Sequence, residues 1–409
     1  MTFHLIRSVV LATGLTLASL SAQAIDRADP ATLGFDGAKL AEITTALKAD
    51  IAAGKLNGAT VSVLRGGRLA VHQAIGTRGG KGDGAGQPLK TDDLFRIYSM
   101  TKPIVSVATM MLVEQGKVAL TDPVSKFIPA FADTKVLELG ELYAPDQPIT
   151  IADLLRHTSG IVYGFFGDTE VRSQYKKAGL FDITVSTEEH MNRLAALPLE
   201  SQPGENWEYG RSTDVLGRVV EVVSGQPLDR FLKSEILDPL GMKDTAFHLT
   251  AKDQARIVEP GFPGLLDPLV KPVYLSGGGG LMSSAPDYLN FVQMLLNGGS
   301  LNGKTILKPE TVADMATDHL GDARPGLYDL LTDDYGFGYG FAVRLEDNGF
   351  AAGSKGDYWW GGYAGTYFWV DPAKDMAVVF MMQAPEMRNH YRPLLRNWVY
   401  GAMTGPVKN

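Results

Sequence analysis

Strand-like alternation sits near both ends of this 409-residue chain, and helical periodicity fills the middle. Residues 58–76 read as a hairpin, with Val61, Val63, Leu69 and Val71 flanking the turn Arg65-Gly66-Gly67. Residues 366–370 and 376–382 read as paired strands around a turn at 371–375. Residues 335–341 alternate aromatic side chains with glycine, which as one strand puts four aromatics on one face. Between these ends, residues 151–157, 187–197, 213–224 and 228–236 carry apolar side chains at helical spacing, and 392–403 reads as a closing amphipathic helix. Strand-rich ends so far apart in sequence share one core most simply by meeting in one sheet. The pattern predicts an α/β part plus an all-α part: an antiparallel sheet flanked by helices, built from 25–120 and 270–409, with a mainly helical insertion at 121–269.

The first 24 residues read as a secretory signal. The apolar run at 8–20 is too short to span a bilayer, and Ala22-Gln23-Ala24 fits a cleavage site. The expectation is an exported protein, periplasmic or secreted, with no stable membrane insertion after cleavage. The chain has no cysteine, which excludes disulfides, thiol catalysis and cysteine-ligated metals. A net charge of -8 without a long run of like charge argues against nucleic acid and anionic membranes as partners. The histidines show no H-E-x-x-H spacing, so no metal or other cofactor is expected. No G-x-S-x-G nucleophile elbow occurs. The glycines at 277–280 lack a following Gly-Lys-Ser/Thr, so they read as a place where backbones pack closely.

Three short stretches can carry chemistry. Ser99-Met100-Thr101-Lys102 opens a predicted helix that runs from Pro103 to about residue 115. Side chains three apart on a helix share a face, so the lysine amine can reach the serine hydroxyl. A serine needs such help before it attacks a carbonyl. The plainer reading is an exposed serine and a solvated lysine. Tyr209 follows Pro203-Gly204 and precedes a helix, so its hydroxyl can enter a cleft from a loop. A phenol is no base at neutral pH unless a neighbouring cation favours its charged form; beside a lysine it can take the serine proton and return it. The alternative is a ring packed on its own loop. Trp360-Gly361-Gly362 leads into Tyr363 and a strand. Paired glycines let a substrate approach an edge whose N–H groups can face a carbonyl oxygen; they also suit a bulge or a tight turn.

Taken in order, Ser99-Met-Thr-Lys102, Leu154-Leu-Arg-His-Thr-Ser-Gly160, Tyr209 in its Pro-Gly context and Trp360-Gly-Gly362 resemble the class C β-lactamase-like serine hydrolases, nearest the family VIII carboxylesterases. The resemblance extends from about residue 30 to 400. It implies a β-lactamase/penicillin-binding-protein-like fold with the active site between the two parts. It implies Ser99 as acyl-accepting nucleophile, Lys102 as the group that eases its deprotonation, and Tyr209 as general base and then acid. It implies an oxyanion hole from the backbone N–H groups of Ser99 and Tyr363, with Trp360, Gly361 and Gly362 binding substrate. His157 is expected to fix a loop rather than to join a triad.

Two departures shape the substrate expectation. Penicillin-recognising members usually carry Tyr-x-Asn, where this chain has Arg211, and Lys-Thr-Gly, where it has Trp360-Gly361-Gly362. The missing lysine and threonine are the groups expected to grip a β-lactam carboxylate, and tryptophan offers an apolar wall. Aromatics at Tyr163, Phe165, Phe166, Tyr335 and Phe337 either extend that wall or pack the core. The expectation is a small-molecule, neutral ester, with short acyl chains, cleaved through a Ser99 acyl-enzyme, and at most weak β-lactamase activity. A D-amino-acid peptidase or amidase, a β-lactamase of the same fold, and a non-catalytic penicillin-sensor-like binding protein are the alternatives.

Overall fold

The computed structural model describes residues 25–80, 84–260, 264–325, 331–347 and 349–408. The signal expected at 1–24 lies outside the described residues.

Seven antiparallel strands form the main sheet. In chain order they are β1 (Gly58–Arg65), β2 (Arg68–Gly76), β3 (Tyr335–Phe337), β4 (Ala342–Arg344), β5 (Tyr358–Gly361), β6 (Tyr367–Asp371) and β7 (Met376–Met382). Their spatial order is β3-β4-β5-β6-β7-β1-β2. The two ends of the chain meet at the β7–β1 pair, with Val61 opposite Phe380 and Val63 opposite Val378. Every residue of β1, β6 and β7 is buried. They are buried along their whole length because helices cover both faces of the sheet. Helix α1 (Gly37–Ala52) and the C-terminal α5 (Arg388–Gly401) pack together on one side, and α4 (Ala285–Leu296) lies against β6 and β7 on the other.

The aromatic–glycine run departs from the single strand expected of it. It breaks into β3 and β4 because Gly340 takes φ +100° and Gly338 N–H turns back to the Phe341 carbonyl at 2.8 Å. Glycine supplies that conformation at no steric cost, so strict alternation here marks a turn between two short strands.

The segment between the two contributions to the sheet carries the helices Ile151–Leu155, Glu170–Lys177, Thr187–Ala195, α3 (Ser212–Ser224) and Leu228–Leu232. It also holds a small hairpin of Val136–Glu138 and Glu141–Tyr143 that the periodicity does not announce. Helix α2 (Thr101–Glu114) joins this segment to the sheet. All of its residues from Thr101 to Leu112 are buried, as an all-round apolar helix must be, and it packs on α3. Pro103 in its first turn gives up an N–H that would have no helical partner there. Gly116, at φ +67°, ends it. Among the described residues no helix is long and apolar enough to cross a membrane.

Candidate active site

Ser99 sits in a single 3-10 turn, Tyr98–Met100, that feeds directly into α2. Tyr98 before it has φ +44°, a costly conformation for a side chain of that size. The sharp turn lifts Ser99 out of the core into half-buried ground at a cavity wall. Lys102, one helical turn on, is fully enclosed.

The Lys102 ammonium is met on three sides. It donates to the Gly278 carbonyl at 2.7 Å, to the Tyr163 hydroxyl at 3.0 Å and, more weakly, to Ser99 Oγ at 3.4 Å. Burial opposes its charge, but the phenol oxygens of Tyr163 and Tyr209 and the Asp214 carboxylate outweigh that and push it above the usual lysine range. Lys102 is therefore a fixed cation at neutral pH. Burial pushes the Tyr163 phenol up to about 12 despite the adjacent ammonium, so it stays protonated. Asp214, in the first turn of α3, accepts from Ser276 Oγ at 2.6 Å and from Gly278 N–H at 3.0 Å. Its burial works against ionisation, but the Arg211 guanidinium, the Ser276 hydroxyl and Lys102 hold its carboxyl below the usual range. The Asp214 carboxylate thus anchors the loop whose carbonyl holds Lys102.

Tyr209 reaches the same point from the other side. Its hydroxyl donates to Ser99 Oγ at 2.6 Å, and the Lys102 nitrogen lies 4.6 Å from its ring centre. The Trp360 indole N–H donates to the Tyr209 oxygen at 3.4 Å. The loop that carries Tyr209 is pinned by its neighbours. Glu208 N–H donates to the His157 carbonyl at 2.8 Å, and the Glu208 carboxylate pairs with buried Arg172 at 2.6 Å. Gly210 passes so close to the Ile161 carbonyl that any side chain there would collide. His157 ends its helix at φ +59° and lays its ring 5.1 Å from that of Tyr209. Burial, then Lys102, holds its imidazole well below the usual range. It supports the Tyr209 loop, as its sequence context suggests.

The third wall is the end of β5. Pairing with β6 stops at Gly361–Tyr367, and Gly362 N–H then turns to the Thr366 carbonyl at 2.7 Å. The Tyr363 N–H comes next and meets no acceptor among the described residues. Tyr363 sets its ring edge-on to Tyr98 at 5.6 Å, which places it beside the Ser99 turn.

These walls enclose a cavity of about 510 Å³. Ser99, Tyr209, Trp360, Gly361, Gly362 and Tyr363 all line it, and Lys102 lies just beneath. Tyr163, Phe165 and Phe166 line it too, together with Phe181. Tyr335 and Phe337 do not: they pack behind the wall, against Trp359 and Trp360 at 5.5 and 5.3 Å. Sequence reasoning placed Tyr163 only as a pocket aromatic and passed over Asp214. The sole signal for Asp214 was its place in the first turn of the helix that follows Tyr209. The assembled site has a hydroxyl in contact with a phenol, a fixed cation against both, and an apolar chamber in front. That is the equipment for attack on a neutral carbonyl.

The Beta-lactamase family model matches residues 43–397. The chain belongs to the Beta-lactamase family. Esterase EstB of Burkholderia gladioli is 31% identical over 416 residues, which cover 93% of this chain and 96% of that protein. Lovastatin esterase of Penicillium rubens is 32% identical, covering 83% of this chain and 92% of the relative. Among solved structures, EstCE1, titled a hydrolase with promiscuous acyltransferase activity, superimposes with a TM-score of 0.75 at 29% identity, over 89% of this chain and 99% of that one. Family membership fixes the β-lactamase/penicillin-binding-protein-like fold. The kinship is with serine hydrolases of the carboxylesterase type.

Proposed function

We propose that the chain is an exported serine esterase that cleaves small carboxylic esters through an acyl-enzyme on Ser99. The observation that carries the reading is the 2.6 Å contact of Tyr209 with Ser99 beside the Lys102 ammonium. With Tyr209 entering the reaction as its phenolate, balanced by the Lys102 ammonium, and Ser99 donating, that contact is the path by which the serine proton leaves. Tyr209 is the base rather than Tyr163, because only Tyr209 touches Ser99 Oγ and because Tyr163 is held protonated. Lys102 is the balancing cation rather than the base, because it is held charged.

In the first half-reaction Ser99 Oγ bonds to the ester carbonyl carbon and its proton passes to Tyr209. The carbonyl oxygen becomes an oxyanion facing the N–H groups of Ser99 and Tyr363. The C–O bond to the alcohol then breaks and the alcohol leaves with the proton from Tyr209. In the second half-reaction water attacks the acyl-enzyme, gives its proton to Tyr209, and releases the acid as that proton returns to Ser99. The aromatic lining favours an ester over a heavily hydrated substrate, and Trp360 both walls the chamber and touches the Tyr209 oxygen. Export rests on the charge and hydropathy pattern of residues 1–24. The names of the esterase relatives support the same substrate class.

The test is turnover of 4-nitrophenyl acetate and butanoate by the purified mature chain, with Ser99→Ala alongside. Multiple turnovers lost in the variant are expected. Equal rates in both proteins, or none in either, would remove the esterase reading.

A further inference from the structure

The chamber is not uniformly apolar. Two guanidinium groups, Arg388 and Arg392, enter its wall from the start of α5, one helical turn apart and on one face. Among the described residues neither has a carboxylate within ion-pair distance, and no carboxylate is among the groups that act on Arg392. Their hydrogen bonding is thin. Arg388 donates to the Pro385 carbonyl at 3.1 Å, and Arg392 reaches the Gly362 carbonyl only at 3.4 Å. Arg392 Nε is closed off from solvent with no acceptor. Both cations rest over aromatic faces, Arg388 at 5.3 Å from the Tyr363 ring centre and Arg392 at 5.8 Å from that of Trp359. Burial, opposed by Tyr367 and reinforced by the like charge of Arg388, brings Arg392 down to about 10, so it is charged at neutral pH.

The other cations of the site are answered. Lys102 has three oxygen acceptors, and Arg211 has Asp214 at 3.9 Å. Among the described residues of the site, the Arg388–Arg392 corner alone carries positive charge with no counter-charge of its own. Its placement depends on Gly361. A Cβ there would sit 2.5 Å from Arg392 Nη2, so the bare glycine leaves room for the guanidinium against the strand. Strand β5 ends in Trp360-Gly361 where penicillin-recognising relatives usually carry a lysine, and the C-terminal helix delivers cations to the same place.

We propose that Arg388 and Arg392 form an anion subsite, and that the preferred esters carry a carboxylate that seats there. The inference rests on the esterase reading above and revises the expectation of neutral substrates drawn from Trp360. A carboxylate matches the planar donor fork of arginine and would bring the counter-charge that this corner lacks. The reacting carbonyl would lie at Ser99, with the apolar remainder of the ester toward Phe165 and Phe181.

The test compares matched ester pairs within each protein. 4-Nitrophenyl hydrogen adipate against 4-nitrophenyl hexanoate places the carboxylate on the acyl side. 4-Acetoxybenzoate against phenyl acetate places it on the alcohol side. Rates are corrected for uncatalysed hydrolysis and read as the ratio of kcat/KM, charged over neutral. In Arg392→Gln and in the less buried Arg388→Gln that ratio is expected to fall about tenfold or more on one of the two sides, as loss of a charge-assisted hydrogen bond implies. Because the ratio is internal to each protein, a general loss of folding or activity cancels. Ratios unchanged in both variants on both sides would overturn the subsite while leaving the esterase reading standing. Failure of the wild type on every neutral ester would instead remove the reading beneath it.

Discussion

Gly362 lies against the carbonyl of Ile97, two residues before Ser99, so closely that a Cβ on the glycine would overlap that oxygen and the Thr366 hydroxyl. Thr366 Oγ1 also donates to the Ile97 carbonyl at 3.3 Å. This contact sets the distance between the end of β5 and the Ser99 turn, and hence between the two N–H groups proposed as the oxyanion hole.

Gly362→Ala should therefore part the two walls. We expect kcat to fall by up to about 10²-fold, the scale of a small misplacement at a reacting centre. Overpacking should cost about 1–3 kcal/mol of stability. Gly401→Ala is the control, since a Cβ there meets nothing within 4 Å. Steady-state kinetics and thermal melts of both variants check this, and an unimpaired Gly362→Ala enzyme would show that the contact does not govern the site.

Tyr209→Phe removes the phenol that, among the described residues, alone touches Ser99, and keeps the ring that packs on His157 and Trp360. Ester turnover should fall by about 10²–10⁴-fold in kcat, with the melting temperature little changed. A variant within a few-fold of wild type would return the role of base to another group.

Tyr163→Phe leaves the Lys102 ammonium with one acceptor fewer in a closed environment. We expect a stability loss of about 1–3 kcal/mol and a smaller fall in kcat than for Tyr209→Phe. The reverse ranking in kcat would exchange the proposed roles of the two phenols.

Acidification should loosen the fold through two histidines that burial keeps neutral. Burial brings His72 down to about 4, with Arg27 adding to the effect, and brings His190 down to about 4 as well. Each is neutral when folded, whereas the unfolded chain protonates near the ordinary value of about 6.5. Between those values the unfolded state binds more protons. Stability is therefore present above about 6.5 and is lost as pH falls toward 4, by up to about 1.4 kcal/mol per pH unit for each histidine. Asp287, pushed up to about 7 by burial, acts in the opposite sense across the whole of this window. The clean measurement is thus a comparison of urea midpoints from pH 8 to 5 for wild type and His190→Phe, a change that keeps the stack on Tyr274 at 3.7 Å. The variant should show the shallower acid loss, and parallel profiles would refute the assignment.

The sheet was legible from both ends because period-two patterns and glycine turns are local signals. Arg65-Gly66-Gly67 and residues 371–375 each mark a turn between strands that pair with their sequence neighbours. The run at 335–341 misled because alternation cannot tell one strand from two joined by a turn at a glycine of positive φ, here Gly340. Ser99, Lys102 and Tyr209 stood out because their spacing and order resemble a family. Tyr163, Asp214 and Arg392 did not stand out, because what makes each of them matter is a partner far along the chain. Tyr163 meets Lys102 from 61 positions away and Asp214 meets Gly278 from 64. No window of sequence contains such a pair.

The β7–β1 pairing also orders the birth of this molecule. A ribosome has decoded past Met376 before β1 can find the neighbour that completes its hydrogen bonding, and past Arg392 before the pocket has its last wall. The central ladder is thus among the longest-range contacts the chain makes, and long-range pairing is slow to form. The nascent protein stays open until β7 has been made, and a chain cut short after β6 would leave β1 as a bare edge ready to pair with a stranger.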